Sequence, residues 1–144
     1  MTKISIYINI LKNYIKYFPI FIVLSLSQAQ AEIGGDFTLR DYNNNKYHLY
    51  SSSKEKVIFF GFLNCPDICP TTLSEVSNLL KRLDGLSDKI EPIFITVDPT
   101  RDTPELLKNY LSFFDKRIIG LTGSQEEIEE VANKYHVYYS YQDK

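Results

Sequence analysis

The sequence predicts a single α/β domain on a parallel sheet, and three observations carry that expectation. Strand-length apolar runs alternate with amphipathic stretches of helical period along residues 32–144, the pattern of crossover connections between parallel strands. The run at 56–63, K-V-I-F-F-G-F-L, is continuously apolar, as a strand covered on both faces is. With 144 residues and 44% hydrophobic content, the chain has material for one core and is too short for two full domains.

Each element follows from local chemistry. Residues 36–40 and 46–50 flank a turn-rich stretch with three consecutive Asn, which predicts a β-hairpin at an edge. Residues 56–63 form the expected central strand. Beyond Pro70, Leu73, Val76, Leu79, Leu80 and Leu83 recur at helical spacing up to Gly85, giving an amphipathic helix packed on that strand. A second strand spans 90–97, with Pro92 near its start, where a missing donor is tolerated. Thr103-Pro104-Glu105 opens a helix running to about Phe114, with Thr as cap, Pro in the first turn and an acid on the positive end of the dipole. Residues 118–121 are short and apolar, and Ser124-Gln125-Glu126-Glu127 forms a capping box before a helix over 126–135.

The first 31 residues stand apart from the domain at 32–144. Lys3, Lys12 and Lys16 make the start purely basic, residues 17–26 are apolar apart from Ser25 and Pro19, and Ala29-Gln30-Ala31 precedes Glu32. This is the layout of a signal peptide, with an N-terminal membrane anchor as the alternative. Either places the domain outside the cytoplasm. The whole chain has 16 basic and 18 acidic residues and a net charge of -2, and removing residues 1–31 makes it more acidic. No basic field exists to hold a phosphate backbone, so nucleic acid is not an expected partner.

Chemistry concentrates in Asn64-Cys65-Pro66-Asp67-Ile68-Cys69-Pro70, which holds both cysteines of the chain at the carboxyl end of a strand and the start of a helix. Ligands of open α/β sheets bind at such ends. Positions i and i+4 in a first helical turn share a face, so the two sulfurs could chelate one ion or approach bonding distance. The helix dipole favours thiolate there. Two thiolates suit a soft ion such as monovalent copper, whereas a structural zinc would take four ligands. A disulfide remains open in an oxidising compartment, although one closing so short a loop stabilises little. The two histidines read as structural: His48 as a partly exposed hairpin residue, His136 as a cap on the last helix.

The string F-F-G-F-L-N-C-P-D-I-C-P-T-T-L, then P-I-F-I-T-V-D-P-T-R-D-T-P, then I-I-G-L-T-G closely resembles the Sco/SenC family of thioredoxin-like copper proteins, from about Gly34 to Tyr139. The resemblance implies a thioredoxin-like fold, location in the periplasm or on the outer face of the inner membrane, and a copper-binding metallochaperone rather than an enzyme. Its partner would be cytochrome c oxidase subunit II, whose dinuclear copper centre it helps to assemble. It also implies copper held by Cys65 and Cys69 with a distant His from a D-H-S-like motif, which this chain lacks; the family's closing β-hairpin and final helix are expected to be missing too, leaving an incomplete fold and an impaired site. Asn64 stands where many members have His. Asp67 and Asp98 match acidic family positions, read as helix-start charge and turn former, while Arg101 and Asp102 match an R-D pair expected to brace its loop as a local ion pair. The alternatives are a thiol-disulfide oxidoreductase acting on copper-site cysteines, for which Cys65 and Cys69 suffice as a redox pair, and an inactive remnant.

Overall fold

The computed structural model describes residues 33–140; the export segment expected at 1–31 lies outside them. Five strands form one mixed sheet in the order β2-β1-β5-β4-β3. Strands β1 (Thr38–Asp41) and β2 (Lys46–His48) are the predicted hairpin, antiparallel with Thr38 opposite His48. Its turn is built by Asp41, whose carboxylate accepts from the Asn43 and Asn45 amides at 2.9 and 2.8 Å, while Asn44 takes a φ of +65°. Short polar side chains tolerate that conformation and bond their own backbone, which explains the Asn run.

β3 (Glu55–Gly61) and β4 (Ile90–Thr96) are adjacent and parallel through seven residue pairs, from Glu55 opposite Ile90 to Gly61 opposite Thr96. β5 (Ile119–Thr122) runs parallel to β4 and antiparallel to β1. One expectation is corrected: the apolar run at 56–63 forms an edge strand among the described residues, and β4 and β5 are interior. A continuous apolar run reports that both faces of a strand are covered; it carries no information about the strand's lateral neighbours.

Among the described residues three α-helices cover those faces: α1 (Ile68–Arg82), α2 (Pro104–Leu111) and α3 (Gln125–Lys134). The pleat divides β4 between two cores. Ile93 and Ile95 face Leu39, Leu121 and the α3 residues Ile128 and Val131, whereas Phe94 faces Leu73 and Leu80 of α1 and Leu107 and Leu111 of α2. The caps are as expected: Thr103 accepts the Leu106 amide, and Ser124 and Glu127 form the complete box. In α1, Leu79 is exposed, while the buried place is taken by Ser77, whose hydroxyl donates to the Leu73 carbonyl and accepts the Asp115 amide. At the end of α3, His136 adopts a φ of +54°, with its amide on the Asn133 carbonyl and the Val137 amide on the Ala132 carbonyl. This is a Schellman cap, made by the backbone and not by the imidazole. Among the described residues no helix is long and apolar enough to cross a membrane.

Candidate metal and thiol site

The site lies where β3 ends and α1 begins. Cys69 is 7% exposed in the first turn of α1, and Cys65 is half-buried in the preceding loop, two residues before the helix cap at Asp67. Cys65 is therefore not in the first turn as expected. Pro66 follows it, and the residue before a proline is biased away from helical geometry. The pair still converges: the Cys69 amide, one of the unpaired donors at the helix start, points at the Cys65 sulfur at 3.3 Å. Both thiols are free.

The two sulfurs differ in charge preference. Burial disfavours ionisation of Cys65, but the Cys69 side chain and the backbone amides of Cys69, Asp67 and Ile68 outweigh it and hold the thiol below its ordinary value. Burial pushes Cys69 up to about 11, reinforced by its hydrogen bond with Cys65 and by the charges of Cys65 and Asp102. The arrangement provides one easily ionised outer sulfur and one protonated inner sulfur.

Gly61, the last residue of β3, makes room for the inner one. A Cβ there would stand 2.8 Å from the Cys69 sulfur and 2.8 Å from Phe94. On the other side of Phe94 packs Tyr110, 6.5 Å between centroids. The Tyr110 hydroxyl is buried with no hydrogen-bond partner among the described residues, and burial and then the charges of Cys69, Cys65 and Asp102 raise its pKa.

The loop after β4 supplies residues whose roles differ from expectation. Arg101 pairs with Asp98, not with Asp102. Asp102, 2% exposed, instead turns inward: its Oδ2 accepts the Leu63 amide at 3.0 Å and the Thr96 hydroxyl at 2.5 Å. Burial raises its carboxyl above the ordinary range, only partly offset by those bonds. Sequence reasoning paired neighbours, and only the fold shows that position 102 reaches back to position 63. Asp67 is exposed and makes no capping bond through its side chain. His48 ends β2, exposed, with Nδ1 2.7 Å from the Thr38 hydroxyl. Among the described residues no group of three or more His, Cys, Asp or Glu is arranged to hold a metal ion, so the converging soft donors are the two sulfurs.

An SCO1/SenC family profile matches residues 26–144. An SCO2-like protein of Rickettsia conorii is 41% identical over 121 residues, 81% of this chain and 58% of that protein; the chain thus spans little more than half that relative's length. The structure of Bradyrhizobium japonicum ScoI with copper bound superposes with a TM-score of 0.72 at 45% identity, covering 78% of this chain and 74% of that one. BsSco, described with a disulfide switch and as a member of the Sco family of cytochrome c oxidase assembly proteins, matches with a TM-score of 0.59 at 31% identity, covering 69% of this chain and 61% of that one. The α/β, thioredoxin-like fold expected from the sequence is the fold of these structures.

Proposed function

The chain belongs to the SCO1/SenC family, and on that premise we propose that it carries Cu(I) on Cys65 and Cys69 as cargo for assembly of cytochrome c oxidase, outside the cytoplasm. The recipient on this reading is the dinuclear centre of subunit II. The observation that carries the proposal is the convergence of the Cys69 amide on the Cys65 sulfur at 3.3 Å, which holds two soft donors at one helix start. Two thiolates and no third ligand among the described residues suit a monovalent soft ion, while Cu(II) favours nitrogen donors and higher coordination. Binding displaces the protons of both thiols. The outer one is lost easily, and the inner one leaves because the cation replaces it.

The test is an anaerobic Cu(I) titration of the reduced protein against a competing chelator, with Cys65→Ser and Cys69→Ser variants. One equivalent should bind to the unmutated protein, and each variant should lose it. Unchanged affinity in either variant removes the site from this pair, and a strong sulfur-to-Cu(II) charge-transfer band would show a divalent site that two sulfurs do not explain.

A second reading rests on the asymmetry of the thiols. An ionised Cys65 can attack a partner disulfide, and Cys69 then resolves the mixed disulfide, leaving the partner as a dithiol and this chain as the Cys65–Cys69 disulfide. Turnover of a disulfide substrate that is lost in Cys65→Ser, with no Cu(I) uptake by the unmutated protein, would favour it.

A further inference from the structure

We propose that Asp102 is the positioning residue of the cysteine site: its carboxylate takes the place of the next rung of the β3–β4 ladder and thereby sets where Cys65 stands relative to Cys69. This deepens the reading above by naming what organises that same pair.

At the carboxyl end of the pair, the Val97 amide, just past β4, donates to the Gly61 carbonyl at 2.8 Å. In a strand, alternate residues point their backbone groups to the same side, so after Gly61 the next amide aimed toward β4 is that of Leu63. Beyond Thr96 the chain has left the strand and turned at Asp98, where the Arg101 and Asp102 amides fold back onto the Asp98 carbonyl at 3.1 and 2.9 Å. The Asp102 Oδ2 meets the Leu63 amide at 3.0 Å.

The direction of this bond is itself fixed. The Thr96 hydroxyl oxygen accepts the Asp98 amide at 3.0 Å, so its proton is committed to Asp102 Oδ2 at 2.5 Å. Thr96 is fully buried and Asp102 is 2% exposed, so water competes weakly for either bond. The chain of bonds therefore runs from the loop after β4, through Thr96 and Asp102, to a residue two positions before Cys65. Without it, the loop ahead of Cys65 is tied by the Cys65 amide to the Phe62 carbonyl, a turn internal to the loop. The Cys69 amide on the Cys65 sulfur at 3.3 Å ties the pair at the helix start, and the Asp102 bond adds the tie that fixes the loop ahead of Cys65 to the loop after β4. A carboxylate at a buried site with no cation on Oδ2 is costly, which fits such a role.

Both bonds end on the same oxygen, which gives a sharp test. Asp102→Asn keeps one carboxamide oxygen able to accept both; Asp102→Ala keeps neither. The full-length protein and each variant are equilibrated without metal in reduced and oxidised glutathione, the oxidised form taking the two electrons as Cys65 and Cys69 join, and dithiol and disulfide are counted by mass spectrometry. Because closure depends on how well the sulfurs are held together, Asp102→Ala should lower the equilibrium constant for the internal disulfide about ten-fold, and Asp102→Asn should stay within about three-fold. An unchanged constant in a folded Ala variant overturns the proposal, as does an equal loss in Asn and Ala, which would assign the effect to charge. Should Asp102→Ala not fold, Thr96→Val decides: a fall of about three-fold is expected, and no fall overturns the proposal. No copper is used, so failure of the unmutated protein to take up Cu(I) would sink the carrier reading and leave this one measured.

Discussion

The two ends of the β3–β4 pair each hold a carboxylate, half-buried at one end and buried at the other, and they are treated in opposite ways. At the amino end, Glu91 is met by Lys56, by the Tyr47 hydroxyl at 2.7 Å and by the Ser52 hydroxyl at 3.0 Å. Burial works against its charge, but Lys56 and then Tyr47 and Ser52 outweigh burial and hold its carboxyl below the usual range. At the carboxyl end, Asp102 has two neutral donors and no cation of its own, and burial wins. A compensated charge braces three strands together at one end. An uncompensated one stands at the other, where burial, then Cys65, and last the Asp102 charge raise the inner sulfur. Stability is concentrated at the first end and strain is tolerated at the second, as expected where a site departs from what packing alone would choose.

The largest effect should come from breaking the compensated end. Lys56→Ala leaves the half-buried Glu91 without its cation, and unfolding by denaturant should show a loss of about 2–3 kcal/mol. If the loss is well under 1 kcal/mol, the amino end is no brace. Next is the close approach at the other end. Gly61→Ala forces a methyl within 2.8 Å of the Cys69 sulfur and Phe94, costing about 1–3 kcal/mol by overpacking and weakening Cu(I) uptake because it displaces the inner sulfur. Full uptake with unchanged stability would mean that Cys69 can retreat at no cost.

The pH dependence separates the two ends by sign. Glu91, held low in the folded state, contributes stability that is present above its unfolded value near about 4.3 and lost as pH falls through its lower folded value. Asp102, held high, acts in reverse: it penalises the folded state above its raised value, and the penalty is relieved as pH falls toward its unfolded value near about 3.9. Asp102→Asn should therefore raise the melting temperature at neutral pH and lose that advantage in acid, as followed by thermal unfolding across pH. A lower melting temperature at pH 7 would show that the charge is compensated after all. The smallest effect is expected at Tyr110. Among the described residues its hydroxyl is buried without a hydrogen-bond partner, so Tyr110→Phe removes a desolvated group that makes no bond and should be neutral or stabilising by under about 1 kcal/mol. A clear destabilisation would reveal a hydrogen bond that the packing around Phe94 and Phe114 does not show.

Local chemistry made much of this protein legible in its sequence. The Asn-rich turn, the Thr103 cap and the Ser124–Glu127 box depend on residues within a few positions of one another, and all stand where the sequence puts them. The proximity of Cys65 and Cys69 is likewise a matter of four residues, and the order of three motifs along the chain pointed to the SCO1/SenC family. The tertiary structure decided the rest. Which strand lies at the edge depends on lateral pairing, which the burial of a strand's faces does not encode. Arg101 and Asp102 look like a pair in sequence, but the turn at Asp98 sends one outward to Asp98 and the other inward to Leu63 and Thr96. The different tuning of the two thiols arises from helix amides, burial and a carboxylate 33 to 37 positions away in the chain. Interactions over that distance are fixed only when the sheet closes, because burial and the low dielectric that gives charges their reach do not exist until the chain has packed.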